Sequence, residues 1–188
     1  IAETAVKIHK GKVFDNATSC SAENNLIIHE SIFESLLAAL KGQGGYLVAG
    51  EDRAKLKQAM WPDGSHLSPK IICKSVKVIA AEAGISVPEG ATFLMVLGEK
   101  IGPEDMFSAE KLSPVVTLWK YVDFDKAVQM VIDITSFSGY GHSCGIHSTN
   151  EDHIMELALK AKVSRMMVRQ PQSYGNSGDW VNGMPFTM

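Results

Sequence analysis

Short apolar runs of strand length alternate with amphipathic helical patterns along most of the chain. The strand patterns occur at residues 26–28, 46–49, 92–97, 115–121, 143–147 and 163–168. The helical patterns occur at residues 2–10, 31–42, 51–60, 76–83, 123–131 and 149–161. Strands that alternate with helices form parallel sheets, because each helix returns the chain to the end where the next strand begins. The sequence therefore predicts a three-layer α/β fold, in which helices cover both faces of a mostly parallel sheet.

Several polar residues predict where individual helices begin. Ser31 is followed three residues later by Glu34, a capping-box pattern in which a hydroxyl and a carboxylate accept backbone N–H groups. Thr149 and Asp152 form a similar pattern before the last long helical stripe. Asp123 precedes another stripe and is of a residue type that favours the same position. We therefore expect helices to begin at these three places.

The size and charge of the chain restrict its partners. With 188 residues, of which 45% are hydrophobic, it can form one domain with a substantial core. Its net charge of -3 gives no electrostatic reason to expect nucleic acid or a membrane as a partner. The apolar runs are too short for a transmembrane helix, and residues 1–5 do not resemble a secretion signal. Because the sequence begins with Ile1 rather than Met, we expect it to be part of a longer protein.

The chain contains three cysteines, Cys20, Cys73 and Cys144. An odd number without short, regular spacing argues against a disulfide framework, and no pair has the spacing of a zinc site. We therefore expect no bound metal and a reducing, cytoplasmic location.

Cys20 lies in a short polar turn between a helical pattern and the first strand pattern. A thiol in such a turn is placed as a nucleophile would be, although a free cysteine is also common as a small buried apolar residue. Ser19 is of a type that could begin a short turn of helix, whose dipole would favour the thiolate form of Cys20. Position alone leaves both interpretations open.

Residues 14–23, with the sequence FDNATSCSAE, resemble the nucleophile segment of the aldehyde dehydrogenase superfamily. They are most similar to the branch that acylates coenzyme A, where the segment has the pattern F-D-N-x-x-x-C-x-x-E. The resemblance implies that Cys20 adds to the carbonyl carbon of an aldehyde. It also implies that the α/β fold is of the aldehyde dehydrogenase catalytic-domain type.

Residues 107–115, with the sequence FSAEKLSPV, resemble the glutamate motif of the same superfamily. The resemblance implies that Glu110 binds the ribose hydroxyls of the nicotinamide cofactor, NAD or NADP. A carboxylate suits that role because it can accept two hydrogen bonds from a diol. Without the resemblance, Glu110 would be interpreted as a solvated charge before a strand.

Residues 138–144, with the sequence SGYGHSC, resemble the G-x-G-H-[ST] segment of the acylating branch. The resemblance implies that His142 lies near the thioester and orients or deprotonates the incoming coenzyme A thiol. Gly139 and Gly141 would let the backbone approach a ligand closely. Cys144 is expected to pack in a strand rather than to act as a second nucleophile.

The resemblance covers nearly the whole chain and predicts how it is organised. Residues 1–169 are expected to form the catalytic domain, and residues 170–188 to form a tail that reaches away towards an oligomerisation or C-terminal segment. Residues 176–188 are most similar to that segment in acylating sulfoacetaldehyde dehydrogenases. The nucleotide-binding domain of the family, and the amide side chain that helps to bind the oxyanion, are expected to be absent from this chain. We therefore expect the isolated chain to be inactive.

Two alternatives to an acylating aldehyde dehydrogenase stay open. Water could replace coenzyme A as the acyl acceptor, which would give a hydrolytic aldehyde dehydrogenase and a free acid. The isolated chain could also be a silent assembly module, since the strand pattern at 163–168 with Gln170–Gln172 could provide an edge for a homo-oligomer. The substrate is expected to be a small aldehyde. If that aldehyde is anionic, Lys111 and Arg169 are candidate cations for binding it.

Overall fold

The computed structural model describes residues 1–179 and 182–183. Its helices are α1 (Ala2–Val13), α2 (Glu30–Gly42), α3 (Gly50–Met60), α4 (Val76–Ala83), α5 (Phe124–Phe137), α6 (Glu151–Lys160) and α7 (Gln172–Ser177). Its strands are β1 (Asn25–His29), β2 (Gly45–Leu47), β3 (Phe93–Leu97), β4 (Val115–Tyr121), β5 (Gly141–Ile146) and β6 (Val163–Val168). Among these described helices, none is both long and apolar enough to cross a bilayer.

The first four strands form one parallel sheet in the order β1-β4-β3-β2. The predicted α/β class with a parallel sheet is therefore confirmed. The strands do not all join that sheet, however, because β5 and β6 pair in parallel as a separate two-stranded sheet. The sequence pattern did not indicate this division, since short strands alternate with helices in the same way in both sheets.

The four-stranded sheet is buried on both faces, as its nearly continuous apolar strands require. Side chains of β3 alternate between the two faces. Phe93 and Met95 pack with residues of α1 and α2, whereas Leu94 and Val96 pack with residues of α3 and α4. Each of these four side chains is fully buried. Helices thus cover both faces, which gives the three predicted layers.

A third apolar cluster lies beside the β5–β6 sheet. Val128 of α5, Ile154 and Leu157 of α6 and Ile146 of β5 form its buried part. A two-stranded sheet is marginally stable by itself, so β5 and β6 depend on this helical cover. The cluster therefore fixes where β5 lies, and with it the loop that leads into β5.

Two of the three predicted helix starts use a different capping residue. Helix α2 begins directly after β1, so the ring of His29, rather than the Ser31 hydroxyl, accepts the Ser31 N–H at 3.2 Å. Helix α6 is capped by Asn150 instead of Thr149, because the Asn150 amide oxygen accepts two backbone N–H groups of the first turn. Asp123 does precede α5, but its side chain makes no capping hydrogen bond.

The segment after β6 was expected to reach away from the body, and over α7 this expectation is wrong. Gln172 and Ser173 of α7 are buried, and the Ser173 hydroxyl donates a 2.8 Å hydrogen bond to the Gly11 carbonyl of α1. The sequence did not predict α7, because a six-residue helix shows little apolar periodicity. The rest of the predicted tail, at 180–181 and 184–188, lies outside the described residues.

Replacing Leu40 by alanine should destabilise the protein strongly. Leu40 is fully buried between α2 and the sheet, so its loss leaves a cavity and should lower the free energy of unfolding by about 2–5 kcal/mol. Leu159→Ala is the matched control, because the Leu159 side chain is 80% exposed and its loss should change stability by less than about 0.5 kcal/mol. Urea denaturation measures both, and equal effects would contradict this packing.

Candidate active site

The turn that carries Cys20 follows α1 through an unusual backbone path. Asp15, Asn16 and Ala17 have φ values of 46°, 53° and 59°, in the left-handed region. Asp and Asn adopt this conformation more readily than other residues, whereas Ala17 does so under strain and is held by its burial. The chain is thereby reversed within a few residues, and Cys20 is exposed as a free thiol. Backbone strain of this kind is concentrated at functional sites.

Ser19 does not begin a helix, so the expected help from a helix dipole is absent at Cys20. The Ser19 hydroxyl lies 2.8 Å from the Ser21 hydroxyl, and residues 18–22 form turns. The sequence interpretation failed here because the only helix-like turn nearby, Phe14–Ala17, lies before Ser19 rather than after it.

The His142 imidazole lies next to the Cys20 thiol and is its hydrogen-bond partner. Its Nε2 atom lies 3.0 Å from the Cys20 Sγ atom, across a sequence separation of 122 residues. Its Nδ1 atom lies 2.9 Å from the Ser143 hydroxyl, which orients the ring. Gly139 and Gly141, with φ values of 116° and 77°, let the chain turn sharply into β5. An imidazole at this distance can accept the proton of the thiol.

Glu110 lies in the loop before β4 and is half-buried. Its backbone N–H donates a 3.0 Å hydrogen bond to the hydroxyl of Ser138, the residue that ends α5. The Ser138–Gly139 turn leads on to His142, so this bond ties the Glu110 loop to the segment that carries the imidazole. The structure thus brings Cys20, Glu110 and His142 to the wall of one cavity of about 510 Å³.

The remaining cavity wall is mixed in character. Apolar side chains of α1, α2, α5 and α6 line one part, and polar groups of Asn24 and Asn25 line another. Among the described residues, no group of three or more histidine, cysteine or acidic side chains is arranged to bind a metal ion. The cavity thus combines an exposed thiol with an apolar wall and a few polar groups.

Buried lysine 111 connects the Cys20 turn to the Glu110 loop. The Lys111 side chain is fully buried, and its Nζ atom donates to the carbonyls of Asn24 and Ala109, each at 2.9 Å. Its backbone N–H also donates to the Asn24 side chain at 2.9 Å. Burial lowers the pKa of Lys111 well below its usual value. Sequence reasoning missed this role, although Lys111 directly follows Glu110 in the motif.

Neither candidate cation for an anionic substrate lines the described cavity. The Lys111 Nζ atom donates its hydrogen bonds to backbone carbonyls. Arg169 is exposed, and its guanidinium donates to the Ser148 carbonyl at 2.8 Å. The cations singled out from the sequence thus have structural contacts here.

Lys12 and Glu23 are two further buried ionisable residues that sequence reasoning passed over. Lys12 is fully buried, and Glu23 is 6% exposed. Burial lowers the pKa of Lys12 and raises the pKa of Glu23, while the opposite charge of each partner opposes the shift. Glu23 is the final residue of the pattern F-D-N-x-x-x-C-x-x-E, so the motif contained a signal for it.

Comparison with known proteins shows which proteins this chain resembles. No family model matches the chain. Its fold is that of the aldehyde dehydrogenases, because 93% of it superposes on an acetylating aldehyde dehydrogenase from Geobacillus thermoglucosidasius with a TM-score of 0.90. The two chains are 32% identical, and the match covers 38% of that structure.

The curated relatives are more specific. The chain is 46% identical over 191 residues to the sulfoacetaldehyde dehydrogenase (acylating) of Bilophila wadsworthia (strain 3_1_6). It is 41% identical over 192 residues to a sulfoacetaldehyde dehydrogenase of an Acholeplasma species. Both alignments include the whole chain, which spans about two fifths of the length of these relatives. The homologues of this chain are thus acylating sulfoacetaldehyde dehydrogenases and related acetylating aldehyde dehydrogenases, as the motifs predicted.

At pH 8, iodoacetamide should modify Cys20 and leave Cys144 unmodified. Cys144 packs against the apolar cluster beside the β5–β6 sheet, and burial raises the pKa of its thiol to about 11. About one Cys144 thiol in a thousand is then ionised at pH 8, and the thiolate is the reactive form. Mass spectrometry of the digested protein measures the modification at each position. Faster modification of Cys144 than of Cys20 would contradict the described exposure of the two thiols.

Proposed function

We propose that this chain is the nucleophile-bearing catalytic domain of an acylating aldehyde dehydrogenase that depends on NAD or NADP. The observation that carries this proposal is the 3.0 Å contact between Cys20 Sγ and His142 Nε2 in a cavity that Glu110 also lines. The proposed activity is that of the complete protein, because the chain spans about two fifths of its curated relatives.

Cys20 begins the reaction as a thiolate. Its sulfur adds to the carbonyl carbon of the aldehyde, which forms a C–S bond and turns the carbonyl oxygen into an oxyanion. The oxyanion then collapses to a carbonyl as the carbon loses a hydride, and an acyl group remains on Cys20 as a thioester. A nicotinamide cofactor, when bound, supplies the acceptor for that hydride.

His142 serves the second half of the reaction. After it has released the Cys20 proton to solvent, its imidazole takes the proton of the coenzyme A thiol, and the resulting thiolate attacks the thioester carbon. The second proton then also passes to solvent, which restores the neutral imidazole. The bond between that carbon and the Cys20 sulfur breaks, so that acyl-coenzyme A leaves and the Cys20 thiolate is restored. Accepting the proton of the Cys20 thiol and accepting the proton of coenzyme A both require the imidazole to lie beside the sulfur. The 3.0 Å separation is consistent with that requirement.

Glu110 fits the cofactor, because a half-buried carboxylate on the cavity wall can accept two hydrogen bonds from the ribose hydroxyls. The choice between NAD and NADP depends on groups that contact the other end of the cofactor. An oxyanion donor from the rest of the complete protein completes the site, so the isolated chain is inactive in this proposal.

Sulfoacetaldehyde is the proposed aldehyde, since the relatives above carry that name. Its sulfonate requires a cation or a cluster of N–H donors. Because Lys111 and Arg169 have structural contacts, we assign that recognition to groups elsewhere in the complete protein.

We further propose a cytoplasmic homo-oligomer. Free cysteines at all three positions are consistent with a reducing location. Within the described residues, β6 forms a two-stranded sheet with β5 only, and we propose that its other edge pairs with a strand of another copy. Residues 1–169 remain the proposed catalytic domain and residues 170–188 the segment that leads towards assembly, although α7 itself packs on the body. Neither nucleic acid nor a membrane is a proposed partner.

Replacing Cys20 by serine should abolish acyl-coenzyme A formation by the complete protein, because a hydroxyl cannot form the thioester. Cys144→Ser is the matched control and should retain the activity. The measurement is the acyl-coenzyme A product, analysed with and without coenzyme A in the reaction. Activity in the Cys20 variant would refute the assigned nucleophile, and steady release of free acid without coenzyme A would favour the hydrolytic alternative. A purified 188-residue chain that binds no nicotinamide cofactor and runs as an oligomer would favour the silent assembly module.

Replacing Glu110 by glutamine should weaken cofactor binding. The amide keeps a single acceptor for the ribose diol and loses the negative charge, so the KM for the nicotinamide cofactor should rise by about tenfold or more. Glu104→Gln is the control, because the Glu104 side chain is 69% exposed and pairs with Lys100 on the surface. Steady-state kinetics at varied cofactor concentration measures both. An unchanged KM in the Glu110 variant would remove this residue from the cofactor site.

A further inference from the structure

Glu23 is fixed in a buried position three residues after Cys20. Its Oε1 atom accepts a 2.8 Å hydrogen bond from the backbone N–H of Gln172, which is distant in sequence. The carboxylate packs so closely on α1 that a Cβ atom at Gly11 would overlap it. A larger residue at position 11 would displace the Glu23 side chain, so the end of the Cys20 turn contacts both α1 and α7.

The buried Lys12 amine is the basic group whose pKa responds to this carboxylate and to that of Glu110. Neither Lys12 Nζ nor Glu23 Oε2 has a hydrogen-bond partner among the described residues, although both atoms are buried. A buried charge without an opposite charge is costly, so each group depends on the other. We call Lys12, Glu23 and Gln172 the Glu23 cluster.

The Glu23 cluster also reaches the strand that carries His142. The Gln172 side chain lies directly against Gly145 of β5, since a Cβ atom there would overlap Gln172 Nε2. The next residue, Ser173, donates its hydroxyl to the Gly11 carbonyl at 2.8 Å. Through Gln172, one buried element thus contacts both the Cys20 turn and β5.

We propose that Glu23 is a positioning residue that holds the Cys20 sulfur within reach of the His142 ring. Its hydrogen bond to Gln172 joins the turn after Cys20 to the helix that packs on β5. The separation of sulfur and imidazole is therefore set by this buried contact as well as by the surface loops. The consequence for catalysis rests on the proposed function, whereas the consequence for thiol reactivity does not.

The test compares the rate of Cys20 alkylation by iodoacetamide at pH 7 with the rate at pH 10 in the complete protein. At pH 7 the reaction depends on proton acceptance by His142, and at pH 10 an accessible thiol ionises without help. Glu23→Ala removes the acceptor for the Gln172 N–H, so the ratio of the two rates should fall by about tenfold or more. His142→Ala should lower the ratio by a similar factor.

Combining the two substitutions distinguishes positioning from general destabilisation. If Glu23 acts through His142, the double variant Glu23→Ala, His142→Ala should show no further fall beyond His142→Ala alone. Independent, multiplied effects would overturn the proposal. So would a Glu23→Ala protein that melts at a lower temperature but keeps the rate ratio of the unsubstituted protein.

Conservative variants keep the test decisive if Glu23→Ala does not fold. Glu23→Gln retains an oxygen acceptor for Gln172, and Lys12→Met with Glu23→Gln also removes the unpaired lysine charge. This pair of changes should restore the rate ratio to within about threefold of the unsubstituted protein, and failure to do so would count against positioning. Glu34→Gln is the matched control, because the Glu34 side chain is 77% exposed on α2, and it should change nothing.

Alkylation requires neither aldehyde, cofactor nor coenzyme A, so the two proposals can fail separately. A fall in the rate ratio without any acyl-coenzyme A formation by the unsubstituted protein would reject the proposed function and leave the positioning role intact. Normal acyl-coenzyme A formation with an unchanged rate ratio in Glu23→Ala would do the reverse.

Discussion

The parallel pairing of β1 with β4 is the constraint on which the site depends. Their register runs from Asn25 opposite Thr117 to His29 opposite Tyr121. Because the strands are parallel, the segments that precede them meet at the same end of the sheet. Those segments are the Cys20 turn and the Glu110 loop, which are far apart in sequence. The pairing of β1 with β4 therefore brings the Cys20 sulfur and the Glu110 carboxylate to one cavity. This placement does not require a contact between the two side chains.

The position of the His142 imidazole is determined separately, because His142 belongs to the β5–β6 sheet. That sheet shares no hydrogen-bonded strand with the larger one among the described residues, so its placement depends on packing by α5, α6 and α7. The Ser138 bond to Glu110 and the contact between Gln172 and Gly145 join the two parts close to the site. A 3.0 Å contact between atoms 122 residues apart thus rests on a few bonds between elements.

Much of the fold and part of the site could be predicted from the sequence, because local patterns determine them. Strands such as β4 and β6 were predicted with the bounds they have, since their apolar runs end at clear breaks. The motifs indicated Cys20, Glu110 and His142, and the structure brings the three together. The separate β5–β6 sheet, α7 and the capping roles of His29 and Asn150 were missed. Each depends on contacts between distant residues or on a choice between adjacent polar groups.

The buried lysines show why contacts beneath such a site cannot be predicted from the sequence although they determine the site's geometry. A lysine is normally interpreted as a surface residue, because burying its charge is costly. Lys111 offsets this cost by donating to the Asn24 and Ala109 carbonyls. An apolar side chain of similar size could fill the space, but both carbonyls would lose the Lys111 donor, and only the Asn24 carbonyl would keep a second one, the backbone N–H of Thr117 at 3.0 Å. The Lys111 amine thus joins the segment after Cys20 to the Glu110 loop by its hydrogen bonds, which fixes the geometry of the two loops beneath an exposed thiol.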